Sequence, residues 1–126
     1  MTRVRPVPMN AATTLALTRS AIGASAWLMP ITAGRLFGID ASGDVSAALY
    51  LRLGGTRDFA LAAGPLLTDG PARARMVKVA AACDVADIAA AIVAHRTGKA
   101  TTLSATLFVG ASLGCLALGA RSLAKA

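Results

Sequence analysis

Four apolar stretches, each roughly 20 residues long, constrain this chain more than any other feature, because at ~1.5 Å rise per residue each can cross a ~30 Å hydrocarbon layer as a helix. They run over 13–34, 46–68, 76–95 and 101–120. The breaks are short and polar: "GRLFGIDASGDVS", then "DGPARAR" with its Gly-Pro breaker, then "RTGK", then "RSLAKA". In lipid every backbone N–H and C=O must be satisfied within the segment, so runs of this kind are helices. A helix of a soluble domain carries a wide charged stripe, whereas no charged residue stands between Thr101 and Ala120. The expectation is an all-α chain with one domain, 1–126, built as a bundle of four transmembrane helices joined by short loops.

Composition agrees. Charged residues make up 15% of the chain and hydrophobic ones 56%, against about 25% charged in a typical soluble domain. The net charge of +7 does not point to nucleic acid, because the basic residues sit in short loops with no aromatic platform beside them. Cys83 and Cys115 lie within apolar segments without ligand spacing and read as small apolar fillers. The basic start "MTRVRP" and the "ASA" at 24–26 imitate a signal peptide. Arg19 interrupts the apolar stretch such a peptide needs, and the run continues through "WLMPITAG", so the first segment is read as a retained span. Residues 1–12 form a flexible or interfacial arm in which Pro6 and Pro8 oppose helix.

Lys and Arg set the topology. Four spans put Arg3, Arg5, Arg73, Arg75, Lys78, Arg121 and Lys125 on one side and Arg35, Arg96 and Lys99 on the other. Both termini are then cytoplasmic, in the plasma membrane, and the loop bearing Asp40 and Asp44 faces outward. Trp27 and Tyr50 fall near the outer interface, as does His95, and Pro30 and Pro65 kink the ends of the first two spans.

Three basic and three acidic residues remain inside the spans: Arg19, Arg52 and Arg57 against Asp58, Asp84 and Asp87. An ionised side chain at a helix centre costs ~2.5–3.5 kcal/mol on insertion scales, so these groups must pair, meet water or reach an interface. Asp84 and Asp87, three apart, share a helix face. Arg57 is expected to meet Asp84 or Asp87, and Asp58 to take another donor such as Arg19. Arg19 has Asp84 or the cytoplasmic interface as alternatives, and Arg52 is expected to snorkel outward. The cluster Arg19, Arg57, Asp58, Asp84 and Asp87 admits three roles: a structural or assembly clamp, a pocket for a lipid-like ligand, or the coupling site of a dimeric proton-coupled transporter. An enzyme acting on an isoprenoid or other apolar substrate would use Asp84 or Asp87 as acid or electrostatic stabiliser, since desolvation keeps a carboxyl protonated. Asp84-x-x-Asp87 lacks the second acidic motif of a magnesium–diphosphate site, and no Ser-His-Asp set, Walker loop or redox ligand pair is present, so neither metal nor cofactor is expected. Gly110 and Gly114, with Gly119 beyond, form a GxxxG pattern that suits close helix approach, in a homodimer or against a partner subunit. Gly34 and Gly38 share the spacing but lie where a turn is the simpler reading.

"RLGGTRDFALAAGPL" resembles the Arg-Leu-x-Gly-x-Arg-Asp-x-x-Leu-x-x-Gly signature of a family of small four-span membrane proteins of unknown function, frequent in actinobacteria and also seen in fungi. The matching positions are Arg52, Leu53, Gly55, Arg57, Asp58, Leu61 and Gly64. The upstream "RLFG" at 35–38 and the Asp-bearing third helix extend the resemblance over most of the chain. It implies a four-helix integral membrane fold and no particular activity. The size also resembles that of small multidrug-resistance transporters, but those rely on a membrane-embedded Glu in the first helix; this chain has no Glu and carries Arg19 there. Three outcomes separate the roles: a ligand module or enzyme needs an apolar cavity beside Asp84 and Asp87, a clamp needs dry Arg–Asp contacts without one, and a transporter needs a tight dimer.

Overall fold

The computed structural model describes residues 11–124, which are helical with no strand among them. The arm before residue 11 and the charges of Arg3, Arg5 and Lys125 lie outside the described residues. Five helices follow one another: α1 (Ala11–Leu28), α2 (Pro30–Leu36), α3 (Val45–Leu66), α4 (Gly70–Arg96) and α5 (Thr102–Ala124). The all-helical expectation holds. The finer expectation of four membrane spans is not reached on length and hydropathy, because among the described residues only α5, with a mean hydropathy of 1.8, is long and apolar enough to cross a membrane. The other long helices are diluted by Gly, Ala, Ser and Thr and carry the internal Arg and Asp residues.

Local signals set the helix ends. Asp44 caps α3, its carboxylate accepting from the amides of Ser46 (2.9 Å) and Ala47 (3.3 Å). Just before it, the Ser42 hydroxyl and amide donate to Asp40 and hold that carboxyl below its ordinary range. Gly38 and Gly98, at φ +75° and +73°, end α2 and α4 in the left-handed conformation. Around each, paired bonds close the last turn: Ile39 N to Gly34 O and Gly38 N to Arg35 O, then Lys99 N to Ala94 O and Gly98 N to His95 O. The Gly70-Pro71 step starts α4 instead of separating spans, since a proline in the first turn lacks only an amide that has no helical partner there. The third helix therefore begins at residue 70, not 76. Arg73 Nε donates to the Pro65 and Thr68 carbonyls, both at 2.8 Å, and ties the tight α3–α4 turn.

The first expected span is divided at Pro30. The proline has no N–H for the Ala26 carbonyl, and the Trp27 carbonyl is taken by Arg52 Nε from α3 at 3.1 Å. Arg52 thus caps a bent helix where outward snorkelling was expected. Trp27 Nε1 donates to Thr56 Oγ1 at 3.0 Å beside it.

The four long helices form a ring in which α1 packs on α3 and α5, and α4 on α3 and α5, while the diagonal pairs do not approach at the backbone. The interior is built from small residues. Leu15, Ala16, Arg19, Gly23 and Ala26 make the buried stripe of α1, and Ala62, Ala80, Ser112, Cys115 and Gly119 face it from the other helices. Among the described residues no large side chain is completely buried. Large apolar ones point outward all round, among them Leu28 (75% exposed), Leu36 (71%) and Leu67 (83%).

The closest backbone approach is between α1 and α3, at Gly23 and Gly55. A Cβ on Gly23 would lie 2.8 Å from the Gly55 carbonyl oxygen, and one on Gly55 would lie 2.7 Å from that of Gly23. The GxxxG pair Gly110 and Gly114 makes no close approach within the chain: both are exposed and face open space. Alanine at Gly23 or Gly55 should therefore destabilise the fold by about 1–3 kcal/mol through backbone displacement. Alanine at Gly110 should be neutral or stabilising by up to about 1 kcal/mol, from helix propensity alone. Thermal unfolding of the three variants in detergent checks the contrast; equal effects would mean that the Gly23–Gly55 contact does not set the α1–α3 distance.

Candidate functional site

Helix register brings all five charged residues of the expected cluster to one place. Arg19 stands about three turns from the break at Pro30, on the buried stripe of α1, and is 3% exposed. Its guanidinium reaches across the ring diagonal to Asp84 on α4, with Nη1 to Oδ1 at 3.0 Å and Nη2 to Oδ2 at 2.7 Å. Both side chains are only 4% exposed. One helical turn on, Asp87 accepts two bonds from Arg57 of α3, with Nη1 to Oδ1 at 2.9 Å. That pair is half open, its side chains 45% and 34% exposed. Two parallel N–H···O bonds in each pair satisfy both carboxylate oxygens in the plane of the fork.

Two expectations are settled by this geometry. Arg57 meets Asp87, as one of its two expected partners, and Arg19 takes Asp84. The expected Arg19–Asp58 contact is replaced, because the diagonal reach from α1 ends on Asp84. Asp58 is left with no hydrogen bond or ion pair among the described residues, and its Cβ packs against the Gly23 position of α1. Asp84 and Asp87, the candidate catalytic acids, are each engaged through both oxygens. No group of three or more metal-ligating side chains occurs among the described residues.

A cavity of about 670 Å³ extends from this cluster toward the α2 end of the ring. Arg19, Arg57, Asp58, Asp84 and Asp87 all border it, with Cys115. The walls are Ala26 of α1, Ala90, Ala91 and Ala94 of α4, and Ala105, Phe108 and Ala111 of α5. Phe37, from the α2–α3 loop, stacks on Phe108 with ring centroids 4.8 Å apart. Gly54 and Arg57 of α3 and Ala90 of α4 border the cavity and remain exposed, so it opens sideways between these two helices. In the opposite direction Leu15 and Val77 are buried, and a Cβ added at Gly119 would lie 3.9 and 3.8 Å from their side chains.

The cavity was not legible in the sequence, and neither were the Phe37–Phe108 stack and the Arg52–Trp27 bond. Each depends on distances between helices that spacing along one helix does not encode. Gly23 gave no signal beyond its place in an apolar run, whereas Gly55 is part of the Arg-Leu-x-Gly-x-Arg-Asp stretch. Both cysteines are free thiols, Cys115 buried at the cavity floor and Cys83 partly buried. Comparisons with protein-family models, curated proteins and solved structures give no match to this chain.

Removing one partner of a buried pair strands the other charge, so Arg19→Met should cost about 3–5 kcal/mol. The double variant Arg19→Met/Asp84→Leu should recover most of that loss, because it removes both charges. Arg57→Gln should cost less than Arg19→Met, since its pair is half exposed. Unfolding titrations in mixed micelles give the order, and a double variant as unstable as the single one would refute the stranded-charge argument.

Proposed function

We propose that this chain is a four-span helix bundle of the cytoplasmic membrane whose outward half holds a small apolar or amphipathic molecule. The observation that carries the ligand reading is the 670 Å³ cavity with alanine and phenylalanine walls that ends on the Arg/Asp cluster. A pure clamp would bring the same ion pairs together without such a space. The volume falls within the ~300–1,000 Å³ of small-molecule sites, which likewise combine apolar walls with a few fixed polar groups.

The membrane reading is supported by the distribution of side-chain size. Large apolar groups such as Leu17, Leu53, Val85 and Leu113 stand outside, each more than half exposed, and small ones inside. Water would penalise that exterior, whereas lipid accepts it and small residues let helices approach closely. Arg19 and Asp84 are buried within the ring and paired, and the more open Arg57 and Asp87 neutralise one another, which lowers the cost of carrying these charges in α1, α3 and α4. The excess of Arg and Lys at the termini and the α3–α4 turn supports cytoplasmic termini. The resemblance to the uncharacterised four-span family, carried by Arg52, Gly55, Arg57, Asp58 and Gly64, fits the same architecture.

Two measurements test the proposal. In a Cys83→Ala/Cys115→Ala background, a cysteine at Ser42 should react with a membrane-impermeant maleimide in intact cells, and one at Ser122 only after permeabilisation. Protein purified in mild detergent should carry an apolar molecule detectable by mass spectrometry, and Ala111→Phe, which fills the cavity, should remove it while the protein stays folded. Release of the chain from membranes by alkaline carbonate would overturn the membrane reading, and equal copurification with Ala111→Phe would overturn the cavity.

A further inference from the structure

From the arrangement of donors and acceptors at the cavity floor we infer that the site selects a lipophilic cation, with an apolar body in the chamber and a protonated amine against the Asp58 carboxylate. The inference rests on the ligand-cavity reading above and names the chemistry of its occupant.

The polar groups at the floor are nearly all committed. Arg19 and Arg57 each place two N–H groups on Asp84 and Asp87, and those carboxylates use both oxygens in return. Arg19 Nε is the one buried side-chain nitrogen or oxygen without a partner among the described residues, but less than 1 Å² of it is reachable, so no ligand atom in the cavity can meet it. Asp58 borders the cavity, is only partly buried, and has no hydrogen bond or ion pair among the described residues. With three carboxylates against two guanidinium groups, the floor carries one negative charge in excess. A cation neutralises it, and an ammonium head also donates the hydrogen bonds that Asp58 lacks; a charge-assisted bond of this kind is roughly twice as strong as a neutral one.

The rest of the chamber suits the same ligand. Phe37 and Phe108 border it together with the wall alanines, away from the charged floor, where they can pack against an apolar body. Lys99 also borders the cavity, but it follows α4, and from Asp87 to Arg96 the helix rises roughly 14 Å. An anionic amphiphile headed at Lys99 would push its apolar tail onto Asp58 and strip water from that carboxylate with no compensating bond. A cation seated at Asp58 keeps its tail among the alanines and leaves Lys99 at the rim in solvent.

The test uses three chain-matched probes: decylammonium, decanol and decanoate. The full chain is placed in phosphatidylcholine nanodiscs, and binding is read from the shift in thermal unfolding after subtraction of the shift that Ala111→Phe shows. Decylammonium should half-saturate the shift at about tenfold lower concentration than decanol, and decanoate should give none. Asp58→Asn should bring decylammonium down to the level of decanol. If Asp58→Asn does not fold, the ratio of amine to alcohol in the native sequence decides alone. Equal responses to amine and alcohol, or a stronger response to decanoate, would overturn the cation preference while leaving the ligand cavity standing. No response to any of the three would overturn the cavity reading itself.

Discussion

The Arg19 guanidinium on α1 meets the Asp84 carboxylate on α4 across the diagonal of the helix ring, where the backbones themselves do not approach. The bidentate bond has a fixed length, so it sets how far apart α1 and α4 stand at that level. Below it the ring is filled by Leu15, Val77 and Gly119; above it the same spacing is not filled, and the cavity begins. Two charges taken from water into a low-dielectric interior return little net stability even when well paired. What the pair supplies is geometry: a rigid floor with its polar groups already bonded to one another.

The walls follow from the choice of small residues inside and large ones outside. Gly23 and Gly55 bring α1 and α3 into backbone contact on one side of the ring. Alanine along α4 and α5 then leaves volume where a soluble core would place Leu or Phe. Such a space costs packing, because lost dispersion contacts accumulate around every void. The occupant proposed above would restore those contacts.

The two ends of the ring differ because of backbone chemistry. At the α3–α4 end, a proline-started helix and an arginine bound to two carbonyls hold a tight turn. At the other end, Pro30 bends the first helix, Arg52 takes a carbonyl freed there, and the loop beyond delivers Phe37 to Phe108. α2 and the loop after it border the chamber through Ala33 and Phe37. The half-open Arg57–Asp87 pair lies on the sideways opening between α3 and α4, so a ligand entering there passes a charge pair that is already satisfied and reaches Asp58, which is not.

The sequence by itself determined that the chain is helical, where most helices end, and which charged residues inside the apolar runs call for a partner. Apolar runs bounded by Gly, Pro and Asp act over one or two turns, and such local rules hold whatever the neighbours do. The five charged residues stood out because unpaired charge in an apolar run is costly in any fold. One point of pattern misled: Gly70-Pro71 opens a helix where a break between spans was expected. Only the tertiary structure decided that Arg19 takes Asp84, Arg57 takes Asp87 and Asp58 is left over. Pairing depends on the rotation and separation of different helices, set by contacts such as Gly23 on Gly55 that lie 32 positions apart. The cavity belongs to the same class of fact, because a space is defined by what several helices leave unfilled together.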